Sequence, residues 1–533
     1  MVAGAAVWCA CTVQPTHAQP APAAATPSTV RVAVREFRIE GNTLLPASEL
    51  AAAVQPYKGE RSLEDLRQAA LAVQASYARA GYGAVVAFVP EQSAPEGVVM
   101  LRVIEGKLAA VAVSGQQQFA EENIRASLPA LEAGRTPHLK RIDAQIQIAN
   151  ENPAKKVQVL LQPGDRPGEA QARVSVTERP VQQGFVALDN TGNSHTGHLR
   201  ASLGWQHANV AGRDHVWSAQ FMFSPDEPKA VRVLSTAYRV PLYAQQMVID
   251  AYAAWSDVKG GVTATVAGDL QFTGEGRLFG LRAGRYLARL GEWDQRLSVG
   301  LDHRDYRNSC EIAGLPPGAC GPAGESVSVQ PLWAEYVLQK ALPLPLGASV
   351  SVHHNLQLGG GIARDERFEA VRPGAPPHYT SVRFAAFGAL PVGESWQLQG
   401  RVQAQFTDDA LVPSEQFGIG GAATVRGYSE RELAGDRGLI ATLELAGPDL
   451  AEDIGMTGDL RLSAFADGGT VRNRLGTPCR DTQERCSIAS LGVGARMAVG
   501  RFGARLHVAH ALRDAARTER GDLRGHFALS YAY

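Results

Sequence analysis

Two short strings hold the residue types best suited to chemistry in this chain: Gly420-Gly421-Ala422-Ala423-Thr424-Val425-Arg426-Gly427-Tyr428 and Phe465-Ala466-Asp467-Gly468-Gly469. The first lies in a long polar loop between two alternating segments. The second ends the next such segment but one. Together they offer one cation at a loop tip, Arg426, and one carboxylate on a nearby wall, Asp467. A planar guanidinium takes a carboxylate through two parallel hydrogen bonds, and Gly427 lets the loop turn sharply. In a lumen screened from bulk water such a pair is worth more than the ~0–1 kcal/mol of an exposed one. This chemistry pins a loop; it does not turn over a substrate. On residue types alone, an exposed arginine in a loop is the commoner fate of such a residue.

Catalytic patterns are missing. The chain has no G-x-S-x-G, no H-E-x-x-H and no phosphate loop, since Gly418-Ile419-Gly420-Gly421 is not followed by Lys-Ser/Thr. His507 and His510 would fall on opposite faces of a strand. No cofactor, no metal and no enzymatic activity are expected. Of the six cysteines, Cys9 and Cys11 lie near the start. The others form two close pairs in turn-rich segments, Cys310 with Cys320 and Cys479 with Cys486. Neither pair has C-x-x-C spacing or a histidine between its members, so disulfides are favoured over zinc. Four cysteines still allow three pairings.

Bulk properties narrow the class. With 533 residues the chain is long enough for several domains, and its net charge of −1 offers no basic field for nucleic acid. There is no apolar run of about 18 residues to make a membrane-spanning helix, but a β-barrel hides its apolar face by alternation. Residues 1–18 read as an export signal ending at Thr16-His17-Ala18, although the usual positive charges are missing; a disordered tail or a start further upstream is the alternative. Residues 19–31 form a Pro/Ala-rich linker.

The elements that must position the Arg426 loop follow. Residues 32–106 and 107–180 read as two small units of one plan: strand, helical segment, strand, strand. In the first, Ser62-Leu63-Glu64-Asp65 is a capping box. Leu63, Leu66, Ala70, Val73 and Tyr77 recur at helical spacing, and Gly81 ends the helix. In the second, helices carry Ile124/Leu128 and Leu139/Ile142/Ile146, with Pro153 as a stop. A sheet edge in either unit could accept an extended segment. Tyr77, Tyr82 and Phe88 are candidate contacts for it, though such aromatics are more often core.

From 181 to 533 helical periodicity gives way to roughly sixteen alternating segments of about ten residues, the first near Gly184 and the last near Leu523. Leu491, Val493 and Met497 alternate with Gly492, Gly494 and Arg496, and Leu439, Ala441 and Leu443 with Thr442 and Glu444. An even count closes a barrel without an edge in lipid. Short turns join even strands to odd ones. The long connections hold both cysteine pairs and Arg426, and they face outward if the amino-terminal units stay in the periplasm. The predicted fold is therefore a transmembrane β-barrel of about sixteen antiparallel strands preceded by two α+β domains. The last segment alternates Phe527, Leu529, Tyr531 and Tyr533; it resembles the ending of barrels delivered to an outer-membrane assembly machine, or is an ordinary edge strand.

At this point the chain resembles the two-partner secretion transporters, the haemolysin-activator and filamentous-haemagglutinin-transporter family, in which periplasmic POTRA (polypeptide-transport-associated) domains precede an outer-membrane barrel. The resemblance runs from about Val34 to Tyr533. It is carried by Gly81-Tyr82, Val89-Pro90-Glu91-Gln92 and Ile104-Glu105-Gly106, by Asn150-Glu151-Asn152-Pro153 and Leu161-Gln162-Pro163-Gly164, and by the loop motif Val425-Arg426-Gly427-Tyr428 with its wall partner Phe465-Ala466-Asp467-Gly468-Gly469. It implies that a large exoprotein of haemolysin or adhesin type, recognised by the POTRA domains, threads the pore unfolded and without ATP, and that Arg426 reaches Asp467 inside the barrel. The implied partners are that exoprotein, outer-membrane lipid and, during biogenesis, the barrel assembly machinery and periplasmic chaperones. An assembly factor of the same superfamily is the alternative. Some members carry an amino-terminal plug helix; Gln19 to Arg31 is Pro-rich and lacks an amphipathic stripe.

Overall fold

A computed structural model of the protein describes residues 31–533 except 194–195, 259–261, 266–267, 272–273, 309–324 and 342. The signal and linker segments lie outside the described residues. So do Cys310 and Cys320, and of the two expected disulfides only the one between Cys479 and Cys486 is seen. The first compact unit holds the described residues up to Ala80 with Val85–Glu105, and the second holds Gly81–Ala84 and Gly106–Tyr533.

In the first unit, Ser62 and Asp65 cap the helix Leu63–Ala80 reciprocally. The Asp65 backbone N–H donates to Ser62 Oγ at 3.2 Å, and the Ser62 N–H donates to the Asp65 carboxylate at 2.9 Å. Leu66, Ala70, Val73 and Tyr77 bury one stripe of this helix. Behind it a three-stranded sheet runs in the order Glu36–Glu40, Val98–Glu105, Val85–Phe88, the first pair parallel and the second antiparallel. Two sequence strings now have a structural cause. Gln92 satisfies both backbone groups of Met100, accepting at 2.7 Å and donating at 2.8 Å. Glu105 accepts from Thr43 N at 2.7 Å, Leu44 N at 2.9 Å and the Tyr77 hydroxyl at 2.8 Å. Burial pushes the Glu105 carboxyl upward, but those hydrogen bonds hold it below the usual carboxylate value. A second helix, Ala47–Val54, was not legible in the sequence: it buries only Leu50 and Val54, too few apolar positions to show a period.

The second unit opens with another small sheet, ordered Lys107–Ser114, Glu169–Glu178, Lys155–Pro163, and covered by helices Glu121–Ser127 and Leu139–Asn150. Its core gathers Leu108, Phe119, Ile124, Ile142, Val157 and Val174. The chain then enters a closed barrel of sixteen antiparallel strands. They begin within a few residues of the sixteen alternating segments, from Gln182–Asp189 to Leu523–Ala532. One strand is split into Val327–Val329 and Pro331–Lys340. The last strand closes on the first, from Ala528 opposite Asp189 to Ala532 opposite Phe185.

The period of two decides which face each side chain takes. Leu203, Leu234, Phe279, Leu491, Val493 and Leu506 stand on the outside, exposed as an apolar band must be in lipid. Asp250, Asp302 and Asp467 point into the lumen and are buried there. Tight turns such as the one between Arg485–Val499 and Phe502–Ala511 lie at the end where the sheet of residues 107–178 and its helices attach, and the long connections lie at the other. Among the described residues no helix is long and apolar enough to cross a membrane; the strands do that work.

Candidate functional site

The connection between strands Trp396–Thr407 and Arg437–Ala446 folds back into the barrel. Its stem is a miniature hairpin in which Phe417–Ile419 pairs with Leu433–Gly435. Gly420 and Gly421 turn the chain at φ +104° and +109°, values that favour glycine, and a Cβ on Gly421 would strike the Glu430 carboxylate. One side of the loop is apolar from stem to tip: Ile419, Val425, Tyr428 and Leu433 pack with Ile440, Val471 and Ile488 of the wall. The Cys479–Cys486 disulfide joins this cluster from the neighbouring connection.

At the tip, Arg426 grips Asp467 with two bonds, Nε to Oδ2 at 2.7 Å and Nη2 to Oδ1 at 2.9 Å. The Arg426 backbone N–H adds a third bond to Oδ2 at 3.1 Å. A second carboxylate, Glu444, accepts from Nη1 at 2.7 Å. The guanidinium lies over Phe465, 3.3 Å from the ring centroid. Phe465 can lie there because Gly492 on the next strand has no side chain; a Cβ would sit 2.3 Å from the ring. The Gly427 N–H donates to His526 Nε2 on the closing strand at 3.2 Å, and the single proton of the Tyr428 hydroxyl is shared between the carbonyls of Ala489 at 2.8 Å and Arg513 at 2.9 Å. Gly469 admits the loop itself, since a Cβ would meet Val425 Cγ2 at 3.1 Å and Ile419 Cδ1 at 3.3 Å. The structure therefore brings Val425, Arg426, Gly427, Tyr428, Phe465, Asp467 and Gly469 into one contact.

Three further fastenings of the loop had no local signal in the sequence. Glu415, at the start of the loop, is held by Arg304 at 2.9 and 3.1 Å and by the Tyr306 hydroxyl at 2.8 Å, with Arg383 at 3.4 Å. Glu432 accepts from the backbone of Arg517 and Thr518, both at 2.7 Å. Asp436, at the loop's end, pairs with Arg372. Each partner lies tens of residues away, so only the closed barrel brings them together.

Below the loop lies a cavity of about 1050 Å³ lined by charges of both signs, among them Asp250, Arg282, Asp302, Arg304 and Arg383. At the end opposite the long connections stands Glu151, just after helix Leu139–Asn150, bonded to Arg239 at 2.7 Å and Arg296 at 3.1 Å on the wall. Asn152 beside it donates to the Ala208 carbonyl at 2.7 Å. The Asn150-Glu151-Asn152-Pro153 string is thus where that helix and its sheet dock on the barrel. Lys155 completes the joint with a buried bond to Asp214 at 2.5 Å, and Asp214 also takes the Tyr243 hydroxyl at 2.8 Å. Burial depresses the Lys155 ammonium below the usual lysine value, and Asp214 opposes that shift.

The remaining sequence-predicted residues scatter. Tyr77 is fully buried with its hydroxyl on Glu105, a core position with no surface for a ligand. Tyr82 is half-buried against His138, and Phe88 is exposed. On the last strand Phe527 is half-buried, whereas Leu529, Tyr531 and Tyr533 are exposed on the outer face. Tyr533 exchanges backbone hydrogen bonds with Gly184 at the seam, at 2.9 and 3.1 Å. Of the four cysteines expected to pair, Cys479 and Cys486 are joined, and Cys310 and Cys320 fall in the stretch outside the described residues. His507 turns inward, edge-on to Phe465, while His510 faces out. Among the described residues no cluster of His, Cys, Asp and Glu could hold a metal ion.

Comparison with known proteins completes the description. The family described as haemolysin secretion/activation protein ShlB/FhaC/HecB matches residues 168–497, and the POTRA domain, ShlB-type, matches residues 32–106. The outer membrane transporter CdiB of Dickeya dadantii is 24% identical over 87% of this chain and 79% of its own length. The heme/hemopexin transporter protein HuxB of Haemophilus influenzae is 21% identical over 76% of this chain and 70% of its own. The solved structure of CdiB from Escherichia coli superposes with a TM-score of 0.79 at 20% identity, covering 97% of this chain and 93% of that one. CdiB from Acinetobacter baumannii gives 0.72 at 16% identity, over 94% and 90%. These structures speak for the fold.

Proposed function

The chain belongs to the haemolysin secretion/activation protein family, and from that premise we propose that it carries one secreted exoprotein, unfolded, across the outer membrane through the lumen of its own barrel. It sits in the outer membrane with its POTRA domains in the periplasm. The observation that carries the reading is a sixteen-strand barrel whose lumen is occupied by its own loop, fastened by Arg426 to Asp467. A fixed wall with a detachable filling is what a gated protein conduit requires. No step of this work needs a nucleophile or a cofactor, and we read the chain as a transporter and not an enzyme.

In the proposed cycle the exoprotein meets the POTRA sheets first, by adding an extended segment to an exposed edge; Phe88 is the candidate contact with exposed apolar surface. The Arg426 loop then leaves its seat on Asp467 and Phe465, and the exoprotein takes its place. Folding outside makes export directional. Outer-membrane lipid surrounds the apolar band, and the aromatic residues of the last strand serve the assembly machinery and periplasmic chaperones during insertion.

The test is genetic. Deleting the gene must remove one large protein from the medium while other outer-membrane barrels keep their levels. If that protein is still exported and many barrels are depleted, the chain is an assembly factor and the transport reading fails.

A further inference from the structure

The tip of the loop is only one closure. A different device stands at the outer end of the lumen, built from the connection between Leu346–Asn355 and Thr380–Val392. That connection forms a short helix, Asp365–Val371, whose Phe368 and Val371 turn inward. They pack with Tyr379, Leu411 and Val412 into an apolar cluster that also takes in the wall residue Tyr306. The charged cavity stops beneath this cluster: its lining reaches Glu415 and Gln416 and includes none of Phe368, Val371 or Leu411.

One carboxylate ties the device together. Asp436 is wholly buried, yet it accepts five hydrogen bonds from three separate connections. Arg372 supplies two, from Nη1 at 2.5 Å and Nη2 at 2.9 Å. The Leu411 N–H supplies one at 2.9 Å, Gln416 Nε2 one at 3.1 Å, and the Arg474 N–H one at 2.7 Å. Arg372 also donates to the Leu411 carbonyl at 2.5 Å. Arg372 is the one cation among these donors; the others are two backbone N–H groups and the Gln416 amide, all of which stay on Asp436 when Arg372 leaves. The helix is flanked by glycines with left-handed backbone, Gly359 and Gly360 at φ +100° and +122° before it and Gly374 at +77° after it, and neither Gly359 nor Gly361 has a neighbour within 4 Å of where a Cβ would stand. Such flanks let a segment swing as a body.

We propose that the helix Asp365–Val371 is an exit gate over the outer mouth of the pore, latched by Arg372 on Asp436, and that it opens separately from the Arg426 loop. This rests on the transport reading, since a gate needs a passenger. The latch holds the stem and outer mouth at the ends of strands Arg437–Ala446 and Asp459–Arg472, whereas Arg426 holds the tip on Glu444 and Asp467 further along the same strands, and the two contacts share no residue. Arg372 acts as a positioning residue: it holds Asp436 and Leu411, not the passenger.

The experiment reads the gate without the passenger. Purified protein in planar lipid bilayers gives single-channel currents, and Arg372→Ala is expected to raise the open fraction at least tenfold. Arg372→Lys keeps the charge but loses the two-point grip and should fall between Arg372→Ala and the unaltered protein. Hydrogen exchange of the unaltered protein supplies a reading that no variant's folding affects: amides of Phe368 to Ala375 must exchange through a local opening that leaves the strand amides protected. Currents equal to the unaltered protein's in both variants, or amides that exchange only together with the strands, overturn the gate. Failure of the deletion test with these results intact would instead overturn the transport reading.

Discussion

Removing the Arg426 side chain should free the loop tip by a margin that the geometry allows us to size. The Arg426 side chain is 8% exposed and that of Asp467 0%, so the pair is buried, while Glu444 at 28% is partly wet. Arg426→Ala leaves the Asp467 carboxylate inside the wall with no cation. Breaking a buried pair by taking away one partner costs about 3–5 kcal/mol. At about 1.4 kcal/mol per tenfold, the ratio of docked to released loop falls by roughly two to three and a half powers of ten. Glu444 adds little, because its half of the contact is screened. The amides of Val425 to Tyr428 should therefore exchange far faster than in the unaltered protein, the single-channel current should become noisy, and export of the partner should fall while the barrel still inserts. Replacing both members, Arg426→Met with Asp467→Leu, removes the stranded charge, so the docking loss should be well below the sum of the two single losses. Unchanged exchange in Arg426→Ala, or a double variant that loses as much as the two singles added, would refute the argument that the buried pair holds the tip. Normal export by Arg426→Ala would refute the role given to it.

Gly469→Val should displace the loop and mimic Arg426→Ala in channel recordings, because its Cβ would meet Val425 and Ile419 at 3.1 and 3.3 Å, whereas Gly468→Ala, with nothing within 4 Å, should be silent. Lys155→Met strands the buried Asp214 and should cost about 3–5 kcal/mol at the joint between the sheet of residues 107–178 and the barrel, seen as protease cleavage within residues 107–180; resistance equal to the unaltered protein would deny that this pair holds the joint. For Asp65, the Ser62 N–H and then the Ser62 hydroxyl hold the carboxyl below its usual value of 3.8. Its folded value is depressed, so its contribution is complete above the unfolded value and disappears as pH falls through the folded one. Helix Leu63–Ala80 should fray in acid in that window, and Asp65→Ala should remove the dependence, as read by amide exchange at Leu66 to Ala70.

The barrel was legible because its signal is local and repeated. A period of two over about ten residues, such as Leu491, Val493 and Met497 against Gly492, Gly494 and Arg496, survives any loop length between strands. The capping box was legible for the same reason, since Ser62 and Asp65 are three residues apart. What stayed hidden depends on closure. Arg304 and Glu415 lie 111 residues apart, and Arg372 and Asp436 lie 64 apart; nothing in either neighbourhood names the other. Helix Asp365–Val371 shows four charged side chains and two large apolar ones, Phe368 and Val371, too few for a stripe. The Arg426 string was visible only through its likeness to a family motif, because a lone arginine between Val425 and Gly427 says little by itself.

The hydrogen bond from Gly427 to His526 spans 99 residues, and it bears on the order in which the molecule is built. Arg426 needs the strand Asp459–Arg472, Tyr428 needs Arg485–Val499, and Gly427 needs the last strand of all. Contacts this distant along the chain form late. The loop therefore cannot find its full seat until the wall around it is nearly complete. Its last hydrogen bond, to His526, is available only once the final strand is in place.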